Sequence, residues 1–250
     1  MVQSPHMNLG ITFELNKELD KEMAFVFLNK SSKIAGVDFS KNVTDFHPTL
    51  ASIKDLHEDE QKRIIGEYFD TYYDEHKTEL EQYVSQFQTD WVKIENVFTK
   101  QLNTVFKNPL KPDGKWVGYI STINCNPRFL DTKTFQVFYK HKNGSNEIAI
   151  HEILHFFFYD YAVKKFPEIF GTLDKNTGIF WMLAELFNDV IQTLPEFKEM
   201  QGEIEYFGYP GHQKYYEYLR KLWLYNPDID TWIPKAYEYL HSLGKTYCIA

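Results

Sequence analysis

Apolar residues recur at helical spacing between residues 52 and 107, a stretch that contains no proline and a single glycine, Gly66. Spacing of three and four residues places apolar side chains on one face of a helix, so the stretch predicts two or three amphipathic helices. Two prolines, an aspartate and a glycine follow within residues 109–114. Such a cluster interrupts regular structure, and it predicts the main boundary within the chain.

Three short segments are rich in β-branched and aromatic residues, which favour strands. They cover residues 11–15, 116–123 and 134–139. The chain after residue 145 has mostly helical patterning, so we predict an α+β fold that is mostly helical, with a small β-sheet and an N-terminal helical region. We expect one domain over residues 8–250, with the helical region at about 8–110 and a core at about 111–250.

The charge and composition of the chain argue against several classes of function. Asp and Glu outnumber Lys and Arg by 35 to 27 and the chain has only three Arg, whereas phosphate binding needs clustered basic side chains, so we expect no nucleic acid partner. No apolar run approaches the roughly 20 residues that cross a membrane, and the N-terminus has no apolar leader, so we expect no membrane association. Two cysteines cannot form a disulfide framework, which favours a cytoplasmic protein with reduced thiols.

The strongest candidate chemistry lies in the segment His151-Glu152-Ile153-Leu154-His155. The segment belongs to a predicted helix over residues 146–165, which is apolar on nearly all sides and therefore buried. Positions i and i+4 of a helix lie one turn apart on one face, so both imidazoles can bind one metal ion. Zinc suits neutral imidazole nitrogen, and Glu152 could accept a proton from zinc-bound water. We therefore predict one zinc ion per chain.

A second apolar helix, predicted near residues 180–191, supplies two carboxylates. A catalytic zinc site has three protein ligands and a fourth position for water. Glu185 would complete the ligand set if its face of the helix meets the first helix. Asp189 lies one turn further along, where it could accept the free ring N–H of one zinc-binding histidine.

This arrangement, His-Glu-x-x-His followed by a helix with Glu-x-x-x-Asp, resembles the gluzincin metallopeptidases, the clan of thermolysin. The resemblance covers roughly residues 116–225 and implies a zincin-like domain whose sheet holds the substrate at an edge strand. The resemblance implies that the zinc ligands would be His151, His155 and Glu185. The general base would be Glu152, and the carboxylate that orients a histidine would be Asp189. The expected function is hydrolysis of a peptide or protein substrate by a metal-activated water. Many members have Asn before the third ligand, where this chain has Ala184.

Two other groups of metallopeptidases share the histidine motif. Metzincins continue it with Gly and His at the positions that Phe158 and Tyr161 hold here, so that group does not fit. Aspzincins use a Gly-Thr-x-Asp-x-x-Tyr-Gly segment, which residues 171–178 match except at Thr177. Asp174 therefore stays a second candidate for the third ligand, although a turn before a helix also explains the segment and Glu185 is favoured.

Three further residues are candidates for contacts with the substrate. Thermolysin-like enzymes place a His or Tyr donor at the oxyanion of the tetrahedral intermediate, and His212 and Tyr209 could supply it here. Arg128, near the expected edge strand, could bind a substrate carboxylate. A catalytically inactive scaffold that binds zinc is the alternative function, and the intact Glu152 favours the enzyme.

Overall fold

The computed structural model describes residues 9–30, 33–202 and 208–247. Residue 8, where the predicted domain begins, and Cys248 lie outside these ranges. Contacts between residues divide the described part of the chain into two compact units. The sheet unit comprises residues 9–95 and 113–149, and the helical unit comprises residues 96–112 and the described residues from 150 onward.

The sheet unit contains a four-stranded mixed sheet and the first helices of the chain. Its elements are β1 Thr12–Leu15, α1 Lys17–Leu28, α2 Phe39–Phe46, α3 Glu58–Glu75, the first part of α4 Lys77–Val105, β2 Val117–Ser121, β3 Arg128–Phe129 and β4 Thr134–Phe138. The strand order is β1-β2-β4-β3, in which β1, β2 and β4 run parallel and β3 is antiparallel to β4. The two central strands are almost completely buried, as is usual for parallel strands covered on both faces.

The sheet joins segments that are distant in the sequence. Phe13 of β1 is paired with Gly118 of β2, which is paired in turn with Phe135 of β4. A Cβ at Gly118 would lie 2.7 Å from the ring of Phe13, so the glycine makes room for this packing. The chain passes from one unit to the other within the predicted turn, between Pro112 and Asp113, but strand pairing places residues 113–149 in the same unit as the N-terminal segment.

A buried carboxylate connects the helices of the sheet unit to its strands. Asp20 of α1 accepts hydrogen bonds from the Ser121 hydroxyl (2.6 Å), the Thr122 backbone N–H (2.8 Å), the Tyr73 hydroxyl (2.8 Å) and the Gln136 amide (2.7 Å). Burial raises the pKa of Asp20, and hydrogen bonds from Ser121, Thr122 and Tyr73 act in the opposite direction. With its donors in place, this carboxylate fixes α1 and α3 against β2 and β4.

The helical unit is organised around one buried helix. Its elements are the last part of α4, most of α5 Ser145–Lys165, α6 Pro167–Phe170, α7 Gly178–Gln192, α8 Pro195–Gln201, α9 Gln213–Tyr225 and α10 Ile229–Tyr247. Helix α7 contacts both α9 and α10, with the ring of Phe187 packed against those of Trp223 and Trp232. On its other side Phe187 lies 4.6 Å from the ring of Phe158 in α5. This aromatic packing holds α5 and α7 side by side.

The predicted fold class, α+β and mostly helical with a small sheet, is confirmed. The predicted strands at 11–15, 116–123 and 134–139 correspond to β1, β2 and β4, and the helix predicted at 146–165 corresponds to α5. Within the described part of the chain, no helix combines the length and the apolar character needed to cross a membrane.

Candidate metal centre

Helices α5 and α7 each bring polar groups into a largely apolar interior. The aromatic residues Phe156, Phe157 and Phe158 of α5 are all buried, and so is every residue of α7 from Leu183 to Gln192. Polar side chains in such an environment are stable only when they have partners. His155, Glu185 and Glu152 are buried, and the side chain of His151 is 16% exposed.

The two helices bring His151, His155 and Glu185 together. The Nε2 atoms of the two histidines lie 3.1 Å apart, and the Oε2 atom of Glu185 lies 3.1 Å from the first and 3.3 Å from the second. The imidazole rings are nearly perpendicular, with an interplanar angle of 82°. Three potential ligand atoms from two helices therefore form one small triangle.

The triangle has the size and the chemistry of a metal-binding site. Ligand atoms about 2.0–2.1 Å from a tetrahedral ion are separated from one another by about 3.3 Å, close to the distances found here. In neutral histidines the Nε2 atoms can carry lone pairs, and the carboxylate oxygen carries them in any case. Lone pairs that converge in this way can bind one cation between them. The buried group of His151, His155 and Glu185 could hold a metal ion.

The electrostatics of the centre also favour a cation. Burial lowers the pKa of His151, but the hydrogen bond that it donates to Glu185 and the charges of Glu152, Glu185 and Asp189 outweigh this effect and raise the pKa to about 9. Burial raises the pKa of Asp189 to about 7, since His151 only partly compensates for the loss of solvent. Several carboxylates thus act on the imidazole of His151, and the negative potential they create attracts positive charge.

Asp174, the second candidate for the third ligand, is not part of this group. Its side chain is exposed, and it accepts hydrogen bonds of 2.8 Å from the Asn176 backbone N–H and the Thr177 hydroxyl. These hydrogen bonds lower the pKa of Asp174. The segment forms a turn immediately before α7. Among the described residues, the group that could hold a metal ion combines His151 and His155 with Glu185 and does not contain Asp174.

The Nδ1 atom of His151 contacts a residue other than Asp189, the partner predicted for one of the two histidines. This nitrogen lies 2.8 Å from Oε1 of Gln192, in the last turn of α7, rather than at the carboxylate of Asp189. Asn188 adds a second link between the helices, since its side-chain amide donates a hydrogen bond of 2.7 Å to the His151 carbonyl. Helix α7 therefore holds His151 at both its backbone and its ring.

Gln192 and Asn188 were missed by the sequence interpretation, although the sequence carries a signal for them. They follow Glu185 by seven and by three residues, so both lie on the same face of α7 as the ligand. Polar residues at this spacing within an otherwise apolar helix indicate a buried polar face.

Tyr209 and His212, the candidate oxyanion donors, lie together beside the indole of Trp181 in α7. The ring of Trp181 is 5.1 Å from each of the other two rings. Burial lowers the pKa of His212, while the charge of Glu185 acts to raise it. The assignment of His212 or Tyr209 as the oxyanion donor stays a prediction.

Arg128 lies in β3, an edge strand of the sheet unit, and its side chain is partly buried. Its assignment to a substrate carboxylate stays a prediction.

Comparison of the chain with models of protein families, with curated proteins and with solved structures gives no match. The function is therefore inferred from the geometry of the metal centre.

Proposed function

We propose that this protein is a zinc-dependent metallopeptidase. The observation that carries the proposal is the triangle of His151, His155 and Glu185, combined with a fourth buried residue, Glu152, next to the first ligand. Two imidazole nitrogens and one carboxylate oxygen are a ligand set typical of catalytic zinc, which leaves a fourth position open. Glu152 is not needed for binding the ion, so its place beside the ligands suits a group that transfers protons.

Each residue of the centre has a distinct part in the proposed reaction. His151, His155 and Glu185 would hold the zinc ion. When bound, zinc would act as a Lewis acid that polarises the scissile carbonyl and makes water more acidic. Glu152 would take the proton from the attacking water and deliver it to the leaving amine.

Three other residues would contact the substrate. His212 or Tyr209 would donate a hydrogen bond to the oxyanion, and Arg128 would bind a carboxylate of the substrate. The proposed substrate is a peptide or a protein. The low cysteine content favours the cytoplasm as the proposed compartment.

The proposal is tested by Glu152→Gln, which keeps the size of the side chain and removes its ability to accept a proton. Cleavage of a quenched-fluorescent peptide library should fall by at least about 100-fold. Zinc content and melting temperature should stay at the wild-type values, since Glu152 is not a ligand. Asp160→Asn is the matched control, because it makes the same chemical change on α5, in a partly exposed side chain bonded to Lys164. The control should cleave at the wild-type rate.

Two results would contradict the proposal. Equal cleavage by the wild type and the Gln variant would exclude Glu152 as the base. Full zinc occupancy without cleavage of any peptide in the library would instead favour the alternative, a zinc-binding scaffold without turnover.

A further inference from the structure

Gln192 contacts both a ring nitrogen of His151 and the side chain of Gln201. Its Oε1 atom lies 2.8 Å from His151 Nδ1, and its Nε2 atom donates a hydrogen bond of 2.9 Å to Oε1 of Gln201 in α8. Gln201 in turn donates from Nε2 to the backbone carbonyl of Gln192 at 2.7 Å. Gln192 is completely buried and Gln201 is 8% exposed, so these hydrogen bonds are shielded from water.

The orientation of both amides follows from the hydrogen bond that Gln201 donates to the backbone carbonyl of Gln192. A backbone carbonyl can only accept, so Nε2 of Gln201 must face it and Oε1 of Gln201 must face Gln192. The Gln192 amide must then present Nε2 to Gln201 and Oε1 to His151. Reversing either amide would place two oxygen atoms, or two N–H groups, against each other in a buried site.

We infer that Gln192, oriented by Gln201, is a positioning residue that keeps the proton of His151 on Nδ1 and leaves Nε2 for the metal ion. This inference rests on the proposed function, because it concerns the metal-binding role of His151. It assigns to a neutral amide the task that the sequence had assigned to the carboxylate of Asp189. An amide supplies the acceptor without adding another negative charge to a centre that already contains Glu152, Glu185 and Asp189.

A structural role for Gln192 would have different consequences. If the residue only joined α7 to α8, its contact with Gln201 would matter and its contact with His151 would not. If it positions His151, the acceptor at Nδ1 is the essential feature. Glu at this position keeps an acceptor for His151 but has no N–H for Gln201, whereas Leu removes both contacts.

The test is the zinc affinity of Gln192→Leu and Gln192→Glu, measured by competition with a chromophoric chelator. We expect the Leu variant to bind zinc about 10- to 100-fold more weakly, the usual loss when the partner of a ligand is removed. The Glu variant should bind within a few-fold of the wild type. Thr193→Val is the matched control, because it removes a neighbouring buried hydroxyl that contacts Val190 and Tyr216 instead of His151.

A second measurement does not require zinc or a variant that binds it. In the metal-free wild type, ¹H–¹⁵N spectra should show a proton on His151 Nδ1 that exchanges slowly with water, and Gln192→Leu should lose this protection. Absence of the signal in the wild type, its persistence in the Leu variant, or equal zinc affinity of the Leu variant and the wild type would overturn the inference. Failure of the wild type to bind zinc, with the protected proton present, would overturn the proposed function and leave the hydrogen-bonding assignment intact.

Discussion

Gly208 lies directly against the carboxylate of Asp189. A Cβ built on this glycine would be 2.6 Å from the carboxylate carbon, too close for any real contact. Asp189 is buried beside the ligand group, so the carboxylate has little room to move. The glycine therefore permits the loop that carries Tyr209 and His212 to pass next to α7.

Gly208→Ala should lower the free energy of unfolding by about 1–3 kcal/mol, because an added methyl group must displace the buried carboxylate or the loop. Chemical denaturation followed by circular dichroism measures the change. An alanine variant as stable as the wild type would show that the loop does not pack on Asp189 as described.

The residues of the metal centre could be predicted from the sequence only in part. The spacing of His151 and His155 determines that they share one face of a helix, and a carboxylate in a largely apolar helix, Glu185, indicates a partner nearby. The partner of the His151 ring could not be chosen in this way. Asp189 and Gln192 lie on the same face of α7, and the choice between them depends on how α5 and α7 are packed along their lengths.

At the scale of the element, α3 contains a residue that weakens it. Gly66 lies in the interior of this helix, and a Cβ added there would meet no atom within 4 Å. Glycine in a helix interior costs conformational entropy that alanine does not. The space around Gly66 has room for the methyl group of an alanine.

Gly66→Ala should therefore raise the free energy of unfolding by about 0.5–1 kcal/mol. The urea midpoint should rise, with an unchanged dependence on denaturant concentration. A lower midpoint for the alanine variant would mean that α3 packs more tightly at this position than the structure shows. Gly208→Ala is the natural comparison, since the same chemical change is expected to act in the opposite direction.

Helices and strands were predictable where a periodic pattern extends over many residues. The long patterns of α4 and α5 and the aromatic and β-branched runs of β2 and β4 were recognised in the sequence. β3, with two residues, and α6, with four, are too short to produce a pattern. The pairing of β1 with β2 was also not predictable, because the partners are about one hundred residues apart and their register depends on the assembled sheet.

At the scale of the whole molecule, the sheet unit and the helical unit each combine segments that are far apart in the chain. The boundary predicted at the proline-rich turn near residue 110 reflects local chain geometry, whereas the observed units reflect long-range contacts. Asp20, with partners more than fifty residues away, shows the same dependence within the sheet unit. A sequence pattern reports neighbours along the chain, and long-range contacts must be found in the structure.

The zinc centre is tested most directly by the metal content of the protein purified without added metal. Elemental analysis should find about one zinc ion per chain in the wild type and in Asp174→Ala, which alters only the turn before α7. The variants His155→Ala and Glu185→Ala, each folded by circular dichroism, should contain almost none. A folded wild type without bound zinc, or a Glu185→Ala variant with full zinc occupancy, would contradict the assignment of His151, His155 and Glu185 as a zinc centre.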